Sequence, residues 1–362
     1  MLKTFAKKIY RWILRSKHNR IIREAFNTNN DKKAQTKRII MFESPSYGNL
    51  GDHAIAIAEK RYVQEHFPSY SYIEITHLDY EFSKELILEE INDDDLILIC
   101  GGGFLGSLWA NAHNHVIDIV KSFPRNKMIQ FPQTAYFAAD KKSQEIFQEF
   151  NEVMSSKSNL DFFVRERNTY NYLNENADDI NTFLVPDIAM YLEASQTLAR
   201  KGVLFCLRQD KEKVNNNHVL KELEAIFKKN DIAYRITDTV VDKKLDYRSR
   251  KPYLDMKAKE FSESELVITD RLHGMIFALI TGTPCIALDN KSKKVSGVYQ
   301  WIKDDIEYIH LLSAEESKDI NPQELEKIAL GLIKKGGHIY NNDKAEKDFK
   351  PLEESLSRAL EN

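Results

Sequence analysis

At 362 residues, 42% apolar and 30% charged, the chain has the composition of a globular protein long enough for two cores of roughly 150 residues each. That composition excludes a disordered or fibrous chain. The net charge of −3 hides an asymmetry: residues 1–40 carry twelve Lys and Arg against Glu24 and Asp31, or +10, which leaves −13 for the remainder.

Residues 1–36 therefore read as a basic amphipathic N-terminal arm. Phe5, Ile9, Trp12 and Ile13 recur at i, i+4, i+7 and i+8, while Lys7, Lys8, Arg11 and Arg15 take other faces, the pattern of a helix that lies on an anionic surface. The apolar run is too short and too interrupted by charge to span a bilayer, and no cleavable signal pattern follows it. Two readings stay open for residues 1–30: contact with an anionic membrane surface, or packing on the protein's own body. The body is acidic and carries no nucleic-acid-binding motif, so nucleic acid is not an expected partner. Cys100, Cys206 and Cys285 lie in or at the end of apolar runs without C-x-x-C spacing. Buried reduced thiols and a cytoplasmic setting follow, peripheral to the inner face of the cell membrane if the arm touches lipid.

Strand-length apolar runs then alternate with amphipathic helical runs, the pattern of parallel α/β layers. Residues 37–198 predict one doubly wound, Rossmann-like domain, with strands at Arg38 to Glu43, Ser71 to His77, Leu96 to Cys100, Lys127 to Phe131, Phe162 to Arg165 and Phe183 to Val185. Helices are expected between them, as at Ala54 to Glu65 and Asn111 to Ser122. Residues 199–340 predict a second such domain, with strands at Val203 to Leu207, Ala233 to Thr237, Leu266 to Thr269 and Cys285 to Leu288. Its helices are placed at His218 to Lys229, Met256 to Ser262 and Gly274 to Thr281, and residues 341–362 read as a closing surface helix. Two doubly wound domains facing a cleft bring their strand ends around one binding site.

Chemistry-bearing turns stand at those strand ends. Gly48, Asn49, Gly51 and Asp52 open a helix whose free N–H groups suit an anion or a hydroxyl, and Asp52 is either the helix cap or a ligand contact. Gly101, Gly102 and Gly103 follow the third strand and offer backbone to a ligand, or simply make a tight turn. They do not match the dinucleotide fingerprint, so no nicotinamide cofactor is expected. Gln133 can hydrogen-bond a sugar hydroxyl, and Glu166 can accept a proton, although paired charges at a helix start more often cap or pair. In the second domain Arg208 ends one strand, and Arg271, Leu272 and His273 end another. Arginines from adjacent turns clamp a small substrate that carries both a carboxylate and a phosphate. An imidazole two residues from a guanidinium can move a proton in the same pocket. No His, Cys or Asp cluster has metal-ligand spacing, and no obligatory metal or cofactor is expected.

The ordered set Gly48-Asn49-x-Gly51-Asp52-x-Ala54, Gly101-Gly102-Gly103, Arg165-Glu166-Arg167, Arg208, and Asp270-Arg271-Leu272-His273-Gly274 followed by Gly282-Thr283-Pro284 resembles the polysaccharide pyruvyl transferases over about residues 38–305. The resemblance implies a glycosyltransferase-B-like architecture with the acceptor on the N-terminal side and the donor on the C-terminal side. It also implies transfer of pyruvate from phosphoenolpyruvate to two hydroxyls of a sugar in a cell-surface polysaccharide, as a cyclic ketal. Arg208, Arg271, Leu272 and His273 match the family's donor-holding positions. Protonation of the donor's methylene carbon makes C2 electrophilic, which casts His273 as the acid, with Asp52 or Glu166 as base toward the sugar. The basic arm lies outside the family pattern and points to a lipid-linked oligosaccharide acceptor. Competing readings are a nucleotide-sugar glycosyltransferase of the same architecture and a non-catalytic assembly partner at the membrane surface.

Overall fold

Alternating apolar runs become buried strands, and every pairing in both sheets is parallel. The computed structural model describes residues 2–30, 37–208, 217–289 and 293–361, with side chains from residue 7 to 27 in the first helix; Phe5 of the arm's apolar stripe lies outside the described side chains. The first part of the chain forms α1 (Leu2–Asn30), β1 (Arg38–Ser44), α2 (Leu50–His66), β2 (Ser71–Thr76), α3 (His77–Glu90), β3 (Leu96–Ile99), β4 (Gly102–Gly106) and α4 (Ala110–Ser122). There follow β5 (Met128–Tyr136), α5 (Lys141–Ser155), β6 (Leu160–Val164), α6 (Arg167–Asn176) and β7 (Asn181–Leu184). These strands make a sheet of order β2-β1-β3-β5-β6-β7, with β4 paired beside β5. The triple-glycine segment is thus partly a short strand, not only a turn.

A 3-10 turn, Ile188–Tyr191, leads toward the second sheet, built from β8 (Val203–Cys206), α7 (Asn217–Lys229), β9 (Tyr234–Thr237), α8 (Lys251–Ser262), β10 (Leu266–Thr269), α9 (Leu272–Ile280) and β11 (Cys285–Leu288). It closes with α10 (Lys294–Tyr299), β12 (Ile309–Leu312), α11 (Glu316–Asp319) and α12 (Pro322–Lys335), and its order is β12-β11-β10-β8-β9. The architecture is α/β, glycosyltransferase-B-like, with two Rossmann-like sheets across a cleft. Strand order reverses between β1 and β3 in one sheet and between β8 and β10 in the other. At such switch points helices leave on opposite faces, and a crevice opens at the carboxyl ends of the strands.

The two sheets are joined by backbone. Leu50 N–H donates to the Thr239 carbonyl at 2.8 Å and Val241 N–H donates to the Gly48 carbonyl at 2.8 Å, while Asn49 and Val240 form an isolated antiparallel bridge. A Cβ at Gly48 would lie 1.8 Å from the Val241 carbonyl oxygen. Only glycine admits that approach.

The closing segment is α13 (Asp343–Asp348) and α14 (Lys350–Glu361). In place of a helix resting on the surface, α14 buries Leu352, Leu356 and Leu360 and returns to the first domain, where Arg358 meets Asp161 at 3.1 Å. The amino-terminal helix divides in two. His18 pairs with Asp79 of α3 at 2.7 Å and Ile21, Ile22 and Phe26 are buried, whereas Ile9, Tyr10, Trp12 and Ile13 are 44, 60, 69 and 52% exposed. Among the described residues no helix is long and apolar enough to cross a membrane.

A buried ion pair also spans the domains: Arg250, at the start of α8, reaches Glu74 of β2 at 2.5 and 3.2 Å. Removing one partner strands a buried charge, which typically costs 3–5 kcal/mol, whereas replacing both with apolar residues of similar volume is often near neutral. Arg250→Met is therefore expected to lower stability by about 3–5 kcal/mol in urea unfolding, and Arg250→Met with Glu74→Met to recover most of that loss.

Candidate active site

Both switch points open into one cavity of about 960 Å³, and strand ends of both sheets send side chains or backbone into it. From the first domain come Glu43 near the end of β1, Tyr47, Asn49 and Asp52 after it, Gly103 in β4 and Arg165 after β6. From the second come Arg208 after β8, Thr239 and Val240 after β9, Arg271, Leu272 and His273 after β10, and Lys294 at the start of α10. Arg271 is the N-cap of α9 and makes no side-chain cap bond. The first amides of that helix therefore belong to a site lined by cations, a favourable arrangement for an anion.

The guanidinium and imidazole groups are held by carboxylates. Arg271 meets Asp238 at 2.5 and 2.8 Å, and the Arg208 amide donates to Asp270 at 2.9 Å. Arg165, almost fully buried, donates to Thr134 Oγ1 at 2.9 Å and to Asp187 Oδ2 at 2.6 Å. The same Asp187 oxygen stands 3.6 Å from His273 Nε2. Burial alone pushes the Asp187 carboxyl up, but the charge of Arg165 and the His273 imidazole outweigh it and hold the group well below the usual carboxylate range. Asp187 thus stays an anion beside the Arg165 guanidinium and the His273 imidazole. Asp270 goes the other way, its carboxyl raised by burial.

His273 is placed by the other domain as well. A Cβ at Gly51 would lie 2.3 Å from His273 Nδ1, so the bare backbone of α2 forms one wall of the imidazole's slot. Asp52 accepts from Asn49 Nδ2 at 2.8 Å and bonds Tyr47, whose hydroxyl is pushed well up by burial first and then by Asp52.

The polysaccharide pyruvyl transferase family model matches residues 49–292, a span that holds both halves of this cavity. The chain belongs to the polysaccharide pyruvyl transferases. It is similar to General stress protein 30 of Bacillus subtilis, at 34% identity over 326 residues, covering 89% of this chain and 91% of that protein. Pyruvyl transferase 1 of Schizosaccharomyces pombe is 25% identical over 275 residues, covering 71 and 67%. Among solved structures, protein KP1_0663 of Klebsiella pneumoniae superposes with a TM-score of 0.54 at 18% identity over 83% of this chain and 99% of that one, a likeness of fold.

Within this pyruvyl transferase, several residues that the sequence offers as ligand contacts have other work. Glu166 is the N-cap of α6, accepting from Thr169 N at 3.0 and 3.2 Å and from the Thr169 hydroxyl; it does not line the cavity, although its neighbour Arg165 does. Gln133 is fully buried and its Oε1 accepts from the Thr134 amide at 3.1 Å. It is thereby removed from any sugar. The Gly101 amide donates to Glu59 at 2.7 Å, and burial pushes that carboxyl up to about 8. Gly101 and Gly102 are not part of the lining; Gly103 is. Gly48 and Gly51 serve contact between the domains, and Asn49, not Asp52, caps α2 by accepting from Gly51 N at 3.1 Å.

Arg165, Lys294, Asp187 and Asp238 complete the site. Arg165 stands at a strand end as Arg208 does and opens the Arg165-Glu166-Arg167 run; Asp187 and Asp238 look like ordinary loop acids until the chain folds. For Glu166→Ala the expected result is loss of about 1 kcal/mol of stability, the usual cost of a lost cap, with turnover unchanged. Thermal unfolding and a rate assay on the same sample check both halves.

Proposed function

We propose that this transferase moves pyruvate from phosphoenolpyruvate to two hydroxyls of a sugar, in a cell-surface polysaccharide or its lipid-linked precursor, and releases phosphate. The observation that carries the reading is the convergence of Arg165, Arg208, Arg271 and Lys294 with His273 on one cavity. A donor that carries both a carboxylate and a phosphate needs several cations at fixed spacing, and guanidinium forks braced by Asp187 and Asp238 supply that spacing.

In this reading Arg208, Arg271, Leu272 and His273 hold the donor, with the amino terminus of α9 toward one anion. His273, oriented beside Asp187, gives a proton to the methylene carbon, and positive charge develops at C2. A sugar hydroxyl attacks there, a second hydroxyl displaces phosphate, and the ring closes. Asp52 stands in the cavity as a hydrogen-bond acceptor for a sugar hydroxyl. No step draws on a metal or a bound cofactor.

Loss of the acid should cost about 10² to 10⁴ in rate. His273→Ala is expected to fold, keep thermal stabilisation by phosphoenolpyruvate and lose phosphate release by at least about a hundredfold. Arg271→Ala is expected to lose the stabilisation itself, which for wild type amounts to about 2.7 kcal/mol at a hundredfold excess over Kd. Stabilisation by nucleotide sugars and not by phosphoenolpyruvate would replace pyruvyl transfer with glycosyl transfer.

The exposed amino-terminal half of α1, with Trp12 and Ile13 beside Lys7, Lys8, Arg11 and Arg15, fits an anionic lipid surface and a lipid-linked acceptor. Trp12→Glu with Ile13→Glu is expected to abolish sedimentation with phosphatidylglycerol vesicles and leave phosphate release from soluble acceptors intact. Undiminished sedimentation would remove the membrane from this reading.

A further inference from the structure

The cavity carries a second group of titratable side chains, from β1, α3 and α4, that the donor site does not use. Glu43 is nearly buried at the end of β1 and holds a left-handed backbone with φ of 61°, uncommon for a residue with a side chain and recurrent at functional sites. The register between β1 and β2 breaks between Met41 and Ser44, and such an irregularity re-aims side chains near active sites. Here it turns a carboxylate into the cavity lining. Glu43 Oε1 is fully shielded, makes no well-aligned hydrogen bond among the described residues, and forms an ion pair with His115 Nδ1 at 3.4 Å. His115 also lines the cavity, with His77 and Glu81 of α3 and the apolar rings of Phe104 and Trp109.

A carboxylate against one ring nitrogen fixes the imidazole's tautomer and leaves the other nitrogen to take a proton, the arrangement used wherever a histidine activates a hydroxyl. Resting on the pyruvyl-transfer reading, we propose that His115 is the base for the attacking sugar hydroxyl, that Glu43 is its positioning residue, and that the sugar's C–H face packs on Phe104 and Trp109. The acceptor subsite is then the β1–α3–α4 side of the cavity, and its ligand class is a pyranoside with two hydroxyls close enough to share one ketal carbon.

The steps balance. The first hydroxyl gives its proton to His115 while its oxygen bonds to C2, and the methylene carbon takes a proton from His273 to become methyl. The second hydroxyl's oxygen then bonds to C2, the C2–O bond to phosphate breaks, and its proton leaves with the phosphate. Solvent exchange returns His115 to neutral and His273 to its charged form. Nothing is oxidised or reduced.

The His115 imidazole is held more basic than usual, first by its contact with Glu43, against burial, with Glu81 and Asp118 acting in the same direction. His77 faces it from α3, is itself lowered by burial and opposes a second positive charge. As a base His115 acts when neutral, so activity rises with pH through its titration. Removing the Glu43 charge lowers that titration and moves the acid limb of the kcat/KM profile to lower pH.

The test measures phosphate release from phosphoenolpyruvate with methyl gluco-, galacto- and mannopyranosides as acceptors, alongside thermal stabilisation by phosphoenolpyruvate. His115→Gln, with His115→Asn as a second variant, is expected to lower kcat by about a hundredfold or more, with stabilisation by phosphoenolpyruvate and acceptor KM within about twofold of wild type. Glu43→Gln is expected to lower kcat by about tenfold and shift the acid limb downward, and Glu43→Asp to restore part of both. Wild-type kcat in both His115 variants would overturn the assignment and pass the base role to Asp52. An unmoved acid limb in Glu43→Gln would remove Glu43 as the positioning residue. Phosphate release by wild type with none of the glycosides would instead reject pyruvyl transfer itself, and so separates failure of the base from failure of the reaction.

Discussion

The catalytic cleft depends on one close approach, the backbone bridge between residues 48–50 and 239–241. Two hydrogen bonds of 2.8 Å join the loop after β1 to the loop after β9, and the missing side chain of Gly48 makes the approach sterically possible. Each loop lies at the carboxyl edge of its own sheet, so the bridge sets the two switch points face to face. Backbone bonds are well suited to this task, because they hold position without the rotamer freedom that a side-chain latch retains. The buried Arg250–Glu74 pair supports the same interface from behind.

Once the sheets face each other, charge organises the cavity. Three of the groups in the proposed donor site are braced by an acid from elsewhere in the chain: Arg271 by Asp238, Arg165 and His273 by Asp187. A site built this way has its dipoles oriented before the substrate arrives, which is the main source of electrostatic stabilisation in enzymes. Asp187 is central because one carboxylate neutralises a buried guanidinium and stands beside an imidazole from the other domain. The glycines of α2 and the β1 loop serve that geometry more than they serve a ligand. Gly51 gives His273 its slot, and Gly48 lets the domains touch.

The helix that begins the chain shows how one amphipathic pattern can meet two fates. Toward its end, Ile21, Ile22 and Phe26 complete the first domain's core and His18 pairs with Asp79; toward its start, aromatic and aliphatic residues face outward among lysines and arginines. Packing on the body therefore accounts for the later turns of this helix and leaves the apolar residues of its earlier turns exposed.

Local pattern determined the strands, their parallel pairing, the two-sheet class and the cationic turn at Arg271 and His273 that lines the cavity, because hydrophobic periodicity and turn chemistry act over a few residues and persist into the fold. Even Arg208 could be read, standing alone at the end of an apolar run. Tertiary structure decided what the polar residues near those turns do. Glu166 and Gln133 look like site residues in sequence, yet one caps a helix and the other is buried against the Thr134 amide; Asp187, Asp238, Glu43 and His115 look ordinary, yet the first two pair with cations of the cavity and the last two line it. The physical reason is that a carboxylate's role is set by its partners, and these partners lie from 22 to 86 residues away. Only the facing of two sheets brings them within hydrogen-bonding or ion-pairing reach.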